Sequence, residues 1–285
     1  MKHYDSCVGC NRVGDGYSSQ ATLSDPRLTN KSDGAAWSAG TRKLLSNDCE
    51  FVAAANNWQS ISPGDIAINN RFRRRVQSIG LDADIVALQE VVGAGPTSSG
   101  HAEELGALLG MGWVMAPVRH LRGSLFGNVV LSRFPIRHHL QHDLTWKTCE
   151  ARCVQRVDIA IDSDTLHLYN VHLGTALLER HHQAERLSAI VHDRRVGTPK
   201  VVLGDFNEWL RGRATAVLNE RLQSVDLRKH LRRRRTYPGV FPVLHLDHIY
   251  YEGTVDVVKV EMPRTRLALL ASDHLPLVAE LKVEF

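Results

Sequence analysis

A carboxylate and a carboxamide two residues apart, directly after an apolar run, are the strongest chemical feature of this sequence. Val201, Val202 and Leu203 lead into Gly204-Asp205-Phe206-Asn207. Such a run reads as a strand buried on both faces, and glycine permits a sharp turn where it stops. Residues two apart on extended chain project the same way, so Asp205 and Asn207 are expected side by side at a sheet edge with Phe206 packed behind. One anionic and one neutral group suit the approach to a metal-bound or phosphoryl oxygen. Gly, Asp and Asn are equally the residues of a turn, and both readings stand at this point.

Three more apolar runs end in polar residues. Ile85-Val86-Ala87-Leu88 precedes Gln89-Glu90, residues 166–171 precede His172, and Leu269-Leu270-Ala271, read as a strand, precedes Ser272-Asp273-His274. Sites in open α/β folds gather at strand ends, so these endings predict convergence on one cleft. Glu90 is a candidate ligand for a hard divalent cation such as magnesium, which takes oxygen donors and needs only one or two carboxylates. Asp247, in Leu246-Asp247-His248, supplies a carboxylate that could accept a hydrogen bond from His172 or His274. That bond fixes a tautomer and favours the imidazolium, which neutralises charge on a phosphoryl oxygen. His138, His139, His142, His181 and His182, among fifteen histidines, read as surface residues.

The elements that must position these groups are strand-rich. Residues 1–48, rich in Gly, Ser, Asn and Asp without a sustained apolar period, read as an irregular amino-terminal extension, and residues 49–285 as one folded domain. Phe51-Val52-Ala53-Ala54-Ala55 predicts a first strand, followed by Asn56-Asn57-Trp58, and helical spacing of Phe72, Val76 and Ile79 predicts a helix over 70–80. Further helices are expected at 101–109, 176–194 and 214–219. Strands are expected at 113–118, 127–136 (this one ending at its proline), 153–161, 165–171, 246–251, 255–261 and 277–283, with a hairpin turn at 162–164. The strand-rich halves on both sides of Asp162 allow two sheets packed face to face.

Composition narrows the class. A chain of 285 residues with 43% apolar and 23% charged residues is ordinary globular material. No apolar run approaches the roughly 20 residues that span a bilayer, and residues 1–16 lack the apolar core of a secretion signal, so a cytoplasmic protein is expected. The formal charge of +4 is mild. It hides two basic clusters, Arg71 with residues 73–75, and Arg228, Lys229 and residues 232–235, which could meet nucleic acid or anionic lipid or stand as solvated faces. Five cysteines, Cys7, Cys10, Cys49, Cys149 and Cys153, fit neither a disulfide framework nor a zinc site. Cys149 and Cys153 read as buried free thiols, while Cys7 and Cys10 keep the spacing of a metal or redox pair.

Taken in order, Ala87-Leu88-Gln89-Glu90, Gly127-Asn128-x-x-Leu131-Ser132-Arg133-Phe134-Pro135-Ile136, Asn170-Val171-His172-Leu173, Gly204-Asp205-Phe206-Asn207, Leu246-Asp247-His248-Ile249 and Ser272-Asp273-His274 resemble the endonuclease/exonuclease/phosphatase superfamily, the deoxyribonuclease-I-like proteins. The resemblance covers about residues 50–285. It implies a four-layer α/β/β/α sandwich, two packed mixed sheets flanked by helices, with a magnesium-dependent phosphoesterase site between the sheets and manganese as a substitute metal. By matching position Glu90 would ligate the metal, with Asn56 and Asp273 near it. Asp205 would activate or orient the attacking water, or help protonate the leaving oxygen, and Asn207 would hold that geometry. His172 and His274 would stabilise the pentacoordinate phosphorus, with Asp247 orienting His274. Arg152 and Asn128 would face the substrate phosphate, a structural salt bridge being the alternative for Arg152. Trp58 stands where many members carry Asp or His, and Asn57 is the alternative match to Asn56. The activity so implied is hydrolysis of a phosphodiester. A repair-type nuclease drawing on the basic clusters, a hydrolase of lipid headgroups or small phosphoesters drawing on the loop 237–245, and a catalytically silent binding protein remain alternatives.

Overall fold

Strands that are buried on both faces lose the alternation of polar and apolar residues, because each face meets another layer. The computed structural model, which describes residues 48–53, 83–96, 99–209 and 212–285, follows that rule. The expected extension up to residue 47, Asn56, Asn57, the helix at 70–80 and the first basic cluster lie outside these residues. In chain order come β1 (Asp48–Ala53), β2 (Ile85–Val92), α1 (His101–Leu109), β3 (Gly112–Leu121), β4 (Ser124–Ser132), β5 (Ile136–Asp143), β6 (Cys153–Ile161) and β7 (Asp164–His172). Then follow α2 (Leu177–Val191), β8 (Lys200–Asp205), α3 (Arg213–Asn219), β9 (Gln223–Ser224), α4 (Leu227–His230), β10 (Asp247–Glu252), β11 (Val255–Glu261), α5 (Arg266–Ala271) and β12 (Leu277–Val283).

The strands form two six-stranded mixed sheets, in the orders β11-β12-β1-β2-β4-β3 and β5-β6-β7-β8-β10-β9. Each has one parallel pair at its centre, β1 with β2 and β7 with β8, flanked by antiparallel neighbours. Ile85 and Ala87 face Leu166, Leu168, Val201, Leu203 and Ile249 in the core between the sheets. The alternate residues face outwards. Val86, Leu88, Val129 and Leu131 meet Ala102 and Leu105 of α1, and Tyr169, Val171 and Val202 meet Leu187, Val191 and Leu218 of α2 and α3. The result is the four-layer α/β/β/α sandwich.

At one end the core between the sheets turns polar. Where the β2–β4 ladder shifts register, between Leu88 and Val91, the Asn170 amide donates to the carbonyls of Leu88 at 3.0 Å and Val129 at 3.1 Å, and to Gln155 Oε1 at 3.1 Å. Gln89 Nε2 donates to Asn170 Oδ1 at 2.6 Å, and Gln155 Nε2 to the Val114 carbonyl at 3.0 Å. All three amide side chains are fully buried. They join β2, β3 and β4 of one sheet to β6 and β7 of the other.

Four expectations are corrected. Residues 269–271 belong to helix α5, not a strand: the Thr265 hydroxyl caps it by accepting from the Ala268 amide, and Ala268 and Ala271 are buried while Leu270 is 48% exposed, the one-sided burial of a surface helix. The strand expected over 127–136 and ending at its proline is β4, which stops at Ser132, and a second strand, β5, begins just past Pro135. Of these β5 escaped notice because it is an edge strand, where Arg137, His138 and Gln141 face water. His139, read as a surface residue, is half-buried with Nε2 3.3 Å from Gln155 Nε2. Cys149 and Cys153 are free thiols, but only Cys153 is buried as expected, and burial pushes it up to about 12, while Cys149 is partly exposed.

The polar bridge makes a stability prediction. Asn170→Leu keeps the volume but strands buried partners on both sheets, each costing about 1–3 kcal/mol. Unfolding free energy from urea titration should fall by roughly 3 kcal/mol or more, against less than about 0.5 for the exposed control Ser163→Ala. Equal midpoints for the two variants would show that the amide bridge holds nothing together.

Candidate active site

The polar end of the sandwich collects the chemistry. Register pairs His172 of β7 with Asp205 of β8, and Asp205 with Asp247 of β10, so the three lie in one row across adjacent strands. They share the inward face with Leu168, Leu203 and Ile249, and all are buried. His172 Nε2 stands 3.7 Å from Asp205 Oδ2.

Backbone contacts fix this row. Gly204 has φ 135°, and a Cβ there would run into the Val171 carbonyl oxygen, so β8 lies closer to β7 than a side chain would permit. The Leu173 amide donates to the Asp205 carbonyl and the Phe206 amide to the Leu246 carbonyl, both at 2.9 Å. Asp205 Oδ1 accepts from the Asn207 amide at 2.8 Å, an Asx turn. Asn207 sits at φ 51°, and its Nδ2 donates to the Leu173 carbonyl at 2.8 Å. The expected extended pair is therefore corrected. The stretch is a turn and an element of the site at once, with the amide spent on aiming the carboxylate. Phe206 packs behind, as expected, against Tyr250 and His248.

The loop after α5 brings His274 to the row. His274 Nδ1 is 2.8 Å from Asp247 Oδ2, its amide donates to Ser272 Oγ at 3.0 Å, and the Tyr237 ring lies 4.9 Å from its own. Burial alone would strip the ring of its proton. The charge and hydrogen bond of Asp247, with the charges of Asp205 and Asp273, outweigh burial and raise His274 from 6.5 to about 9. His172 goes the other way. Burial, assisted by the positive charges of Arg152 and His274, lowers it well below 6.5. The Asp247 bond thus favours the imidazolium at His274, while His172 is held as a neutral ring.

Glu90 occupies the β2 irregularity with φ 56°. Burial raises its carboxyl most; Arg152 opposes this, while Glu150 and Asp273 add to it. Arg152, itself buried, bonds Glu150 through Nη2 at 2.9 Å, the salt bridge held open as an alternative. Its Nε has no hydrogen-bond acceptor among the described residues. Asn128 turns its Nδ2 into the gap between the sheets, 3.5 Å from the Asn170 carbonyl and 3.9 Å from Cys153 Sγ. Among the described residues no three His, Cys, Asp or Glu side chains form a metal-holding group. Magnesium needs fewer. Asp273 Oδ1 is a buried carboxylate oxygen with no donor among the described residues, and Glu90 is a carboxyl raised chiefly by burial, with Glu150 and Asp273 adding to it, which a hard cation would counter, so these oxygens fit one.

Gln89, Gln155, Asn170 and Tyr237 carry no role in the reading of the sequence, yet they frame the site. Gln89 and Asn170 left a signal. Each is a lone amide at an inward position of an otherwise apolar run, where burial demands a partner.

The model of the Endonuclease/Exonuclease/phosphatase family matches residues 54–274. Uncharacterized protein YbhP of Escherichia coli K12 is 33% identical over 242 residues, covering 78% of this chain and 93% of its own. Among solved structures, a functionally unknown conserved protein from Enterococcus faecalis superposes with a TM-score of 0.66 at 17% identity, over 82% of this chain and 100% of that one. An endonuclease/exonuclease/phosphatase from Bacteroides vulgatus gives 0.65 at 18% over 83% and 99%. Truncated TDP2 of Caenorhabditis elegans gives 0.60 at 16% over 83% and 98%. These structural likenesses carry the fold alone.

The opposed histidines can be titrated. NMR of the ring carbons should find His274 protonated up to about pH 9 and His172 neutral well into acid, and Asp247→Asn should bring His274 sharply down. Because folding raises the His274 value above 6.5, its pairing contributes stability in full below about pH 6.5 and loses it as pH rises through about 9. An unfolding free energy unchanged by Asp247→Asn at neutral pH would contradict the pairing.

Proposed function

Since the chain belongs to the endonuclease/exonuclease/phosphatase family, we propose that it is a magnesium-dependent phosphodiesterase, with manganese as a substitute, that cleaves its substrate by attack of water. Membership supports a hydrolase of phosphoester bonds. The finer reading rests on one observation: His172, Asp205 and Asp247 stand in a single row, with His274 bonded to the end of it.

In this reading Asp205, aimed by the Asn207 amide, orients the attacking water and accepts its proton. The water oxygen forms the new bond to phosphorus, the ester P–O bond breaks, and the departing oxygen takes a proton from solvent. His274, kept charged by Asp247, sets a fixed positive group against a phosphoryl oxygen as negative charge builds there. His172 serves as a neutral donor. Arg152 sets its guanidinium charge against the substrate phosphate, while Asn128 acts at one remove by donating to the Asn170 carbonyl. Glu90 and Asp273 would hold the metal, Asn56 being the remaining candidate. A divalent cation bound there supplies positive charge to the phosphoryl group and orients it.

With bis-p-nitrophenyl phosphate, turnover should require magnesium or manganese and stop with chelator. Asp205→Ala and His274→Ala should each lower kcat by roughly 10²- to 10⁴-fold. Turnover that survives chelator, or that both variants retain, would end this reading. Failure to cleave any diester while the variants fold normally would favour a silent binding protein.

A further inference from the structure

Of the nine large apolar side chains exposed among the described residues, Val258, Leu270 and Phe285 stand apart, and six lie on segments next to the site residues. Leu177 and Leu178 open α2 just past His172, Trp209 follows the Asp205 turn, and Val240, Phe241 and Val243 lie on the loop before Asp247. All six sit on segments that leave the catalytic end of the sandwich. Exposures of 62% and 64% for the leucines, and 70% and 76% for Val240 and Phe241, leave most of each side chain in water. Apolar surface gathered on one face of a protein marks a contact surface.

The loop that carries three of these residues is held firmly. Tyr237 and Leu244 bridge its base, with the Val243 and Leu244 amides both donating to the Tyr237 carbonyl at 2.8 Å. The Gly239 amide donates to the Asp273 carbonyl at 2.6 Å, and Arg264 Nη2 to the Val240 carbonyl at 2.6 Å. The tip is thus fixed in its outward position, with a cation bonded directly to it.

Beside the tip lies a cavity of about 1180 Å³, lined by arginines 232–235, Arg228 and Arg264 together with Trp209 and Phe241. Glu208 and Asp226 are the acidic residues of its wall. Arg232, Arg233 and Arg235 are exposed. A belt of arginines next to protruding apolar residues suits an anionic surface that has an apolar layer beneath it. Nucleic acid would satisfy the arginines, and Trp209 and Phe241 could stack on bases. Leu177, Leu178, Val240 and Val243 could not; aliphatic groups gain little from a base and much from the boundary of lipid headgroup and acyl chain.

We propose that the catalytic end of this protein docks on an anionic phospholipid bilayer, with Val240 and Phe241 entering the headgroup boundary and the arginine belt resting on lipid phosphates. Gly239 and Tyr237 tie the docked loop to Asp273 and His274, so the site opens onto the membrane surface.

The test is sedimentation of the full chain with vesicles of phosphatidylcholine alone or mixed with phosphatidylserine. Binding should require phosphatidylserine, and Val240→Ser with Phe241→Ser, or Arg232→Glu with Arg233→Glu, should each weaken it roughly tenfold or more. Hydrolysis of the soluble diester should be unchanged in both variants, which separates loss of docking from loss of the site. The proposal is overturned by equal binding to both vesicle types, or by vesicle binding indifferent to the apolar substitutions. It is equally overturned if a single-stranded oligonucleotide competes the vesicles off, or if the apolar substitutions instead dissolve a dimer of this chain seen without lipid. Absence of diester turnover would count against the phosphodiesterase reading and leave the vesicle result standing.

Discussion

Two sheets that face each other through aliphatic side chains must become polar at one end without parting, and the Asn170 amide is where that is done. An unpaired amide between the sheets would favour their separation, since burying it without a partner costs a few kcal/mol. A paired one joins them. Asn170 is satisfied by Gln89, Gln155 and the carbonyls of Leu88 and Val129, so its position sets how β7 stands against β2 and β4. Glu90 lies on the first sheet next to Gln89, and His172 on the second just beyond Asn170. The distance between the two halves of the site is therefore determined by a few hydrogen bonds at its floor.

With the floor fixed, the electrostatics follow from where carboxylates and cations stand. His172 and His274 are both buried, so desolvation opposes charge on each. What separates them is Asp247, bonded to one ring, while Arg152 and the His274 charge itself act on the other. Charging His274 thus helps to discharge His172. Neighbouring groups with opposed proton affinities are a common mark of acid–base and charge-stabilising sites. Here the asymmetry is built by the pairing of β8 with β10, which places Asp247 level with Asp205.

Much of this was legible in the sequence because burial on both faces leaves continuous apolar runs, and four of the groups that matter stand where such runs or their neighbours end. β6 and β11 fall at Cys153–Ile161 and Val255–Glu261, and β12 at Leu277–Val283, as read. The failures have physical causes. Leu269-Leu270-Ala271 was too short for its period to distinguish strand from helix, and the Thr265 cap that decides the matter lies outside the run. β5 was hidden because an edge strand can be polar. The turn of Asn207 and the neutrality of His172 depend on partners distant in the chain, Leu173 in one case and Arg152 and His274 in the other, which no local pattern contains.

The segment 231–246 joins these features. Its far side carries the arginines and the apolar tip, and its near side supplies Tyr237 against His274, the Thr236 carbonyl to the Leu275 amide and the Gly239 amide to the Asp273 carbonyl. A loop so bonded cannot shift its tip without straining the backbone that presents Asp273 and His274. Loops that vary while the strand ends stay constant are how one catalytic arrangement meets different substrates. In this protein the loop with the apolar tip and the loop that carries Asp273 and His274 are hydrogen-bonded into one unit. Whatever surface the tip engages therefore bears on the position of the His274 charge.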